Sequence, residues 1–174
     1  LEVLGTLKSN RDALAVLKVF PEEPFYVEKG EFVLALDGIN DPGNLGTLIR
    51  TADWFGIDKI VCPEHCADRY NPKAIAASMG SFLHVRMFYT SLDAYLAEAK
   101  GPVYAAVLNG KPIRETKFAE SGILLMGSES HGISKGLMPY VTEAVSIPGC
   151  GRAESLNVGV ACGALSYLWR RQWG

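Results

Sequence analysis

The sequence predicts an α/β fold, with a mostly parallel sheet flanked by helices, and three observations support this prediction. Short segments rich in Val, Ile, Leu and Phe alternate along the chain with segments whose apolar residues recur at the helical period. The 174 residues fit one domain of common size, large enough to bury a core. No internal repeat and no apolar stretch long enough to span a membrane breaks the pattern. Such alternation is typical of parallel sheets that are covered on both faces.

Seven segments have the apolar and β-branched composition that favours strands. In chain order, the predicted strands are residues 13–19, 31–36, 59–62, 85–88, 103–108, 123–126 and 141–147. Ligands of parallel α/β sheets bind beyond the carboxyl ends of the strands. We therefore expect the functional residues in the loops that follow Leu36, Leu108, Met126 and Ile147.

Four helices are predicted between the strands, at residues 44–55, 72–79, 92–99 and 155–171. The first helix gathers its apolar side chains on one face at the 3.6-residue period, namely Leu45, Leu48, Ile49, Ala52 and Phe55. Side chains that can accept a hydrogen bond from the free N–H groups of a first turn mark the helix starts. The predicted N-caps are Asn44, Asn71, Ser91 and Ser155, and Pro72 fits the first position of its helix.

Charge and cysteine content exclude several classes of protein. The chain has 17 Lys and Arg against 19 Asp and Glu, a net charge of −2, so any contact with nucleic acid must rest on local patches. The four cysteines are too few and too scattered for a disulfide framework, and only His65 lies near a cysteine pair that could bind zinc. We predict buried thiols in a cytoplasmic protein, with no metal and no membrane contact, for Cys62, Cys66, Cys150 and Cys162.

The first unusual segment follows the strand that ends at Leu36 and contains turn-forming residues 41–43 before the first helix. Arg50 points away from the apolar face of that helix, and Trp54 lies one turn further along the same polar side. An exposed cation beside an exposed aromatic ring suits RNA or a partner subunit. A solvated surface arginine is the alternative interpretation.

The second segment, residues 127–134, has the sequence Gly-Ser-Glu-Ser-His-Gly-Ile-Ser. Its spacing is close to that of a P-loop, but Ile133 stands where the phosphate-binding lysine belongs, which argues against a nucleotide hydrolase. The segment also lacks the G-x-S-x-G pattern of α/β hydrolases. What remains is a glycine turn that lets backbone groups approach a ligand and that carries one carboxylate, Glu129.

The third segment, residues 147–158, resembles a dinucleotide fingerprint only in part. Glu154 stands in the place of the third glycine, so no NAD site is expected. Ser155 is interpreted as the cap of the last helix, and Asn157 as a residue of its first turn. The helix ends in a basic and aromatic group that fits either RNA or a capped helix end, consisting of Trp169, Arg170, Arg171 and Trp173.

The order and spacing of these three motifs resemble the SpoU/TrmH family of S-adenosylmethionine-dependent RNA ribose 2'-O-methyltransferases, in the SPOUT superfamily. The matching residues are Asn44 with Arg50, the turn around Glu129, and Ile147-Pro148 followed by Ser155-Leu156-Asn157-Val158. The resemblance covers the chain from about residue 33 to the C-terminus. It implies a parallel α/β domain with a C-terminal trefoil knot, a homodimer, S-adenosylmethionine as methyl donor and RNA as substrate.

The resemblance also implies roles for individual residues. The catalytic residues would be Asn44, Arg50, Glu129, Ser155 and Asn157. The cofactor contacts would be Leu108, Asn109, Gly110, Gly127, Ile147 and Leu156. Apolar side chains can flank an adenine ring, and glycine turns expose backbone groups to it. A guanidinium keeps its proton at any physiological pH, so Arg50 is better suited to hold an RNA phosphate than to act as a base.

Relatives often carry an additional N-terminal domain that selects the RNA, and this bears on the organisation of the chain. We expect residues 1–30 to be an N-terminal segment, the remnant of a linker from such an RNA-binding domain, and residues 31–174 to be the methyltransferase domain. The chain starts without Met, and its first residues do not resemble a signal peptide. Ribosomal RNA is favoured over transfer RNA. The alternative function is a catalytically degenerate RNA-binding protein of the same fold.

Overall fold

The structure is a computed structural model that describes residues 16, 18, 19, 21 and 23–173. The predicted strand at residues 13–19 lies mostly outside the described residues. Val16, Lys18 and Val19, which are described, have no regular secondary structure. The first strand of the domain begins at Phe32.

Six strands and four α-helices alternate along the described part of the chain. The strands are β1 (Phe32–Asp37), β2 (Lys59–Cys62), β3 (Arg86–Tyr89), β4 (Val103–Pro112), β5 (Gly122–Gly127) and β6 (Glu143–Ser146). The helices are α1 (Pro42–Trp54), α2 (Pro72–Ser78), α3 (Leu92–Ala97) and α4 (Val158–Trp173). Short 3₁₀ helices occupy Ser81–Leu83, Ile113–Glu115 and Lys135–Tyr140.

All six strands pair in parallel, in the order β3-β2-β1-β5-β4-β6, which confirms the predicted sheet. The central pair is in continuous register, with Phe32 to Asp37 of β1 aligned on Gly122 to Gly127 of β5. Because the strands run in one direction, the loops that follow them all lie at the same edge of the sheet.

Helices cover both faces of the sheet. Leu34 and Leu36 of β1 contribute to a core layer shared with α1, α2 and α4, whereas Val33 and Ala35 contribute to a layer shared with α3. All four of these side chains are fully buried. Successive residues of a strand point to opposite faces, so a strand that is buried on both faces is apolar along most of its length, as β1 is from Phe32 to Leu36.

The N-cap of α1 is Asp41, and the prediction of Asn44 as the cap is wrong. Asp41 Oδ1 accepts a hydrogen bond from Asn44 N at 2.9 Å, and Pro42 opens the helix. Asp41 Oδ2 pairs with Lys73 Nζ of α2 at 2.6 Å. The Lys73 ammonium and the Asn44 N–H hold the pKa of Asp41 below its usual range. Since the turn before the helix already supplies an acceptor, the Asn44 side chain is left to make other contacts.

α4 begins at Val158, three residues later than predicted, and Ser155 is not its cap. Asn157 Oδ1 accepts a hydrogen bond from Gly159 N at 2.9 Å, and the Asn157 carbonyl accepts from Ala161 N at 3.0 Å. These are the two contacts that define an N-cap. Asn157, interpreted from the sequence as a first-turn residue, is therefore the cap. Serine and asparagine are equally good caps, so residue type alone does not favour Ser155 over Asn157.

The C-terminal end of α4 is packed against the rest of the domain. Trp169 is 1% exposed, and its indole N–H donates to Ala119 O at 3.3 Å. Arg170 donates to Phe55 O and Gly56 O, carbonyls at the C-terminal end of α1 that lack helical partners. Of the two interpretations of this basic and aromatic group, these contacts support a structural one over an exposed RNA patch.

Three of the four cysteines, Cys62, Cys66 and Cys162, are buried as predicted, but Cys150 is exposed and the prediction is wrong there. Burial raises the pKa of the Cys162 thiol to about 12, so this thiol stays protonated and unreactive. Within the described residues, no group of three or more His, Cys, Asp or Glu side chains could hold a metal. None of the described helices is long and apolar enough to cross a bilayer.

The largest difference from the predicted elements is in β4, which continues to Pro112 instead of ending at Leu108. Ala106 and Lys111 both align with Val145 of β6, so the residues between them bulge out of the ladder. All other boundaries of the described elements lie within three residues of the prediction. The caps Asn71 and Ser91 are confirmed, as is Pro72 at the start of α2.

Gly46 marks the place where α1 and α2 cross, because a Cβ at this position would overlap the backbone of Ala74 and Ser78. We expect Gly46→Ala to lower the free energy of unfolding by about 1–3 kcal/mol, since the helices would have to separate. Gly136→Ala is the matched control, because its Cβ would make only an ordinary contact of 3.8 Å with Asp93 Oδ1, and it should change stability by less than about 0.5 kcal/mol. Urea unfolding followed by circular dichroism measures both. Equal stability of the two variants would contradict the close crossing.

Candidate active site

Three segments that are distant in sequence meet at the carboxyl edge of the sheet. Asn44 lies in the first turn of α1, which follows β1, and Glu129 lies in the loop after the neighbouring strand β5. Asn157 immediately precedes α4. Residues 147–157 lead from the edge strand β6 past β4 and β5 to reach this point. The structure thus brings together three of the five catalytic residues predicted from the motifs.

The three side chains form a hydrogen-bonded group that we call the amide–carboxylate cluster, consisting of Asn44, Glu129 and Asn157. Asn44 Nδ2 donates to Glu129 Oε1 at 2.6 Å. Asn157 Nδ2 donates to Asn44 Oδ1 at 3.0 Å and to Glu129 Oε1 at 3.4 Å. Glu129 Oε2 accepts no hydrogen bond from the described residues, so one carboxylate oxygen is available to a ligand.

The starts of two helices hold the asparagines of the cluster in place. Asn44 is in the turn that Asp41 caps, and Asn157 is itself the cap of α4. The two helices approach closely at this end, because a Cβ at Gly159 would come within 2.6 Å of Thr47 Cγ2 on α1. The cluster therefore rests on two helix ends that pack directly against each other, which limits how far its members can move apart.

The loop that carries Glu129 is a tight turn that requires glycine at both ends. A Cβ at Gly127 would overlap the backbone of Gly132 and Ile133. Gly132 has φ of +66°, in the left-handed region that favours glycine, and its N–H donates to Ser128 O at 2.9 Å. This explains in physical terms why the second motif has glycine at both positions.

A residue that the sequence analysis missed, Asp37, anchors the same loop. Asp37 is 6% exposed at the end of β1, and its Oδ2 accepts a hydrogen bond from Ser134 N at 2.6 Å. An acidic residue that directly follows a five-residue apolar strand is an unusual feature of the sequence, and this signal could have drawn attention to it. Its partner, 97 residues away, could not have been inferred.

The bulge of β4 brings the predicted cofactor residues Leu108, Asn109 and Gly110 beside the end of β6. Ser146 Oγ, in the last residue of β6, donates to Gly110 O at 2.8 Å. A Cβ at Gly110 would lie 2.7 Å from the backbone of Ala144, so only glycine permits this approach. The bulge therefore lies directly beside Ile147, the residue that follows Ser146.

The predicted cofactor residues leave apolar surface uncovered at this edge. Leu108 is 71% exposed and Leu156 is 47% exposed, and Ile147 is half-buried against the core. Gly127 ends β5, the strand that lies next to β4. Exposed leucines around glycine turns with accessible backbone groups are features of sites for a flat, partly apolar ligand.

Two predicted catalytic residues, Arg50 and Ser155, lie outside the hydrogen-bonded cluster. Both are exposed, and neither makes a hydrogen bond or an ion pair with any described residue. Arg50 is six residues from Asn44 along α1, which is about 9 Å of helix and on a different face. Arg50 is thus a free cation, with Trp54 exposed on the same helix.

Two amides orient the Glu129 carboxylate at the edge of a parallel sheet, and a glycine-rich apolar surface lies beside it. This arrangement is suited to hold a hydroxyl group next to a second ligand.

Comparison with known proteins identifies the family. Residues 31–167 match the SpoU rRNA Methylase family, and the chain belongs to this family. The resemblance deduced from the three motifs is therefore confirmed.

Individual relatives agree with this assignment. The chain is 37% identical over 161 residues to 23S rRNA (guanosine(2553)-2'-O)-methyltransferase RlmP of Bacillus subtilis, covering 90% of this chain. A solved TrmH-family structure from Porphyromonas gingivalis is 39% identical, with a TM-score of 0.78 over 87% of this chain. An AdoMet-bound rRNA methyltransferase from Sinorhizobium meliloti is 31% identical, with a TM-score of 0.81 over 87% of this chain.

The chain spans about three fifths of the length of these relatives. It covers 64% of the Bacillus subtilis protein, 63% of the Porphyromonas gingivalis chain and 61% of the Sinorhizobium meliloti chain. The shared part contains the whole parallel sheet and the amide–carboxylate cluster, since the family match covers residues 31–167.

Asn157 has two separable roles, because its Oδ1 caps α4 and its Nδ2 donates within the cluster. Asn157→Ala and Asn157→Ser both remove the amide nitrogen that reaches Asn44, but serine keeps an oxygen acceptor for the cap. We expect the serine variant to be more stable than the alanine variant by about 1 kcal/mol in urea unfolding. Equal stabilities would show that the side chain does not cap the helix.

Proposed function

We propose that this chain catalyses the S-adenosylmethionine-dependent methylation of a ribose 2'-hydroxyl in structured RNA, with ribosomal RNA favoured over transfer RNA. The observation that carries the proposal is the amide–carboxylate cluster, in which residues from all three family motifs meet. The name of the Bacillus subtilis relative, a 23S rRNA methyltransferase, supports the choice of RNA. No observation favours a degenerate RNA-binding protein. The proposed substrate also implies a cytoplasmic enzyme.

The residues proposed to hold the methyl donor fit that group. Gly127 and Gly110 lie where neighbouring backbone leaves no room for a side chain, and Asn109 between Leu108 and Gly110 is exposed. Leu108 and Leu156 supply exposed apolar surface for an adenine ring. When bound there, S-adenosylmethionine supplies an electrophilic methyl group on a sulfonium.

The chain's own residues would position the attacking hydroxyl and the RNA. The free Oε2 of Glu129 can accept a hydrogen bond from a ribose hydroxyl, while Asn44 and Asn157 hold Oε1 and so fix the carboxylate. Ser155, exposed just before the cluster, can contact the same ribose. We assign Arg50 the role of a phosphate clamp, because its guanidinium is exposed and has no partner among the described residues.

The proposal includes a C-terminal trefoil knot, in the region where residues 147–157 pass the loop at 127–134.

The proposal also includes a homodimer, and large apolar side chains on two adjacent helices support it. Trp54 of α1 is 83% exposed, and Val160 and Tyr167, two turns apart on α4, are 59% and 56% exposed. A partner subunit on this surface would also bring a second copy of the α1 helix, with its Arg50, close to the interface.

The function is tested with total RNA from a strain that lacks the enzyme, incubated with the chain and with S-adenosylmethionine labelled in its methyl group. We expect label on the ribose 2'-oxygen of one nucleotide. Arg50→Ala should lower the transfer rate by about 100-fold or more, with the dissociation constant of S-adenosylmethionine unchanged. Arg171→Ala, an exposed arginine near the end of α4, is the matched control and should retain activity.

Two results would contradict this proposal at different levels. Absence of transfer to any RNA by the folded chain would overturn the activity. Full turnover by Arg50→Ala would leave the activity in place and remove Arg50 from the mechanism.

The dimer is tested by sedimentation velocity over a range of micromolar concentrations. We expect the chain to sediment as a dimer and Trp54→Asp to sediment as a monomer, because a buried carboxylate in an apolar interface is costly. Met138→Asp, a partly exposed residue on the opposite face of the sheet, is the control and should remain dimeric. A monomer at every concentration for the unmodified chain would rule out the proposed interface.

A further inference from the structure

A polar cleft of about 180 Å³ lies next to the amide–carboxylate cluster and has no role in the functions described above. It opens at the carboxyl edge of the sheet, between the loops that follow β1, β2 and β5. The lining residues are Asp37, Gly38, Asn40, His65, Ser128, His131, Gly132 and Ser134. Ser128 of the cleft and Glu129 of the cluster are consecutive residues of the loop after β5, so one loop contributes to both.

The floor of the cleft carries a carboxylate with one fixed and one open oxygen. Asp37 Oδ2 accepts the hydrogen bond from Ser134 N at 2.6 Å, whereas Oδ1 accepts none from the described residues. Asp37 is 6% exposed and is one of the residues that line the cleft. The cleft is thus lined by a carboxylate that has one oxygen without a hydrogen-bond partner among the described residues.

The rim of the cleft consists of flat, exposed side chains, two of which have no hydrogen-bond partner among the described residues. Asn40 and His65 make no hydrogen bond with any described residue. His131 is held on the other side, where its backbone N–H donates to Ser128 Oγ at 3.2 Å and its ring atom Nδ1 lies 2.7 Å from Ser130 Oγ. Imidazole rings are among the side chains on which unstacked RNA bases stack.

The chemistry of this lining selects one class of ligand. No Lys or Arg lines the cleft, and the fixed carboxylate would repel a phosphate group. The volume lies below the roughly 300–1,000 Å³ of sites for whole small molecules, so it suits a fragment the size of a nucleobase. A carboxylate accepts hydrogen bonds only, and its two oxygens can accept several. The cleft therefore suits a flat group with adjacent donors.

We propose that this cleft binds the base of the nucleotide to be methylated, and that Asp37 selects guanine. Guanine is the one RNA base whose Watson–Crick edge carries two adjacent donors, N1–H and the N2 amino group. Adenine and cytosine have an acceptor beside their amino group, and uracil has a carbonyl on each side of its N–H. Each of these bases would therefore place an acceptor lone pair next to a carboxylate oxygen, which is repulsive. This inference rests on the proposed function, because it identifies the base attached to the ribose at the cluster.

The first test measures base binding without methyl transfer, so it is independent of the proposed activity. The full chain is titrated separately with guanosine 5'-monophosphate and with inosine 5'-monophosphate, which lacks the N2 amino group. Binding is measured from the shift of the Ser134 backbone amide signal in NMR spectra. We expect guanosine monophosphate to bind about 10-fold more tightly. In Asp37→Asn the amide oxygen can still accept from Ser134 N, but a donor replaces the open acceptor, and the preference should disappear. Asp58→Asn, an exposed acid before β2, is the charge-matched control.

The second test compares methyl transfer to a synthetic hairpin that carries either guanosine or inosine at the mapped position. We expect kcat/KM to fall about 10- to 100-fold for inosine with the unmodified chain and with Asp58→Asn. Asp37→Asn should be slower on guanosine and should no longer distinguish the two, with S-adenosylmethionine binding unchanged. A purely structural role of Asp37 would lower both rates equally and leave their ratio intact.

His65→Ala covers the case in which Asp37→Asn does not fold, because His65 is exposed and has no partner among the described residues. It should weaken binding of both monophosphates about 5-fold or more, through loss of stacking, with their ratio preserved. A methylated nucleotide other than guanosine, equal use of guanosine and inosine, or normal binding by His65→Ala would each overturn the inference. Loss of transfer to every RNA together with a retained guanine preference in the titration would overturn the proposed activity alone.

Discussion

The side chain of Asn157 joins the parts of the candidate site that the fold alone would leave separate. Its oxygen starts α4, and its nitrogen links Asn44 on α1 to Glu129 in the loop after β5. Each of these hydrogen bonds is exposed and contributes only about 0.5–1.5 kcal/mol to stability. Their larger effect is geometric, because they fix three loops relative to one another within hydrogen-bonding distance. A single amide thus sets both the start of a helix and the shape of the site.

At this edge of the sheet, some polar side chains hold the backbone in place and others are left to contact a ligand. Asp41 caps α1 and binds Lys73, so Asn44 is not needed for the helix start and can turn towards Glu129. Asp37 supports the loop after β5 from below through Ser134 and keeps one oxygen open. In each case a carboxylate satisfies backbone N–H groups that would otherwise be unpaired, and a neighbouring polar group is left for a ligand.

The sequence predicted the parts of this structure that depend on local chemistry. Composition located the six described strands, and the Asn71–Pro72 pair located the start of α2, because these signals act within a few residues. The cap at Ser155 was wrong because serine and asparagine are equivalent caps, so residue type did not show that Asn157 starts the helix. The bulge at 107–110 and the Asp37 anchor depend on partners that are far away in the chain, and no local pattern encodes them.

The long-range hydrogen bonds at the two ends of α4 have a consequence for how the protein folds during synthesis. Asn157 and Arg170 bind partners 113 and 115 residues earlier in the chain, so the first half cannot complete its contacts until the last helix has been synthesised. Such long-range closure slows folding. A nascent chain on the ribosome therefore holds Asn44 and Glu129 without their third member until residue 157 has been added and α4 has formed. A product truncated before α4 has its sheet but lacks the completed cluster.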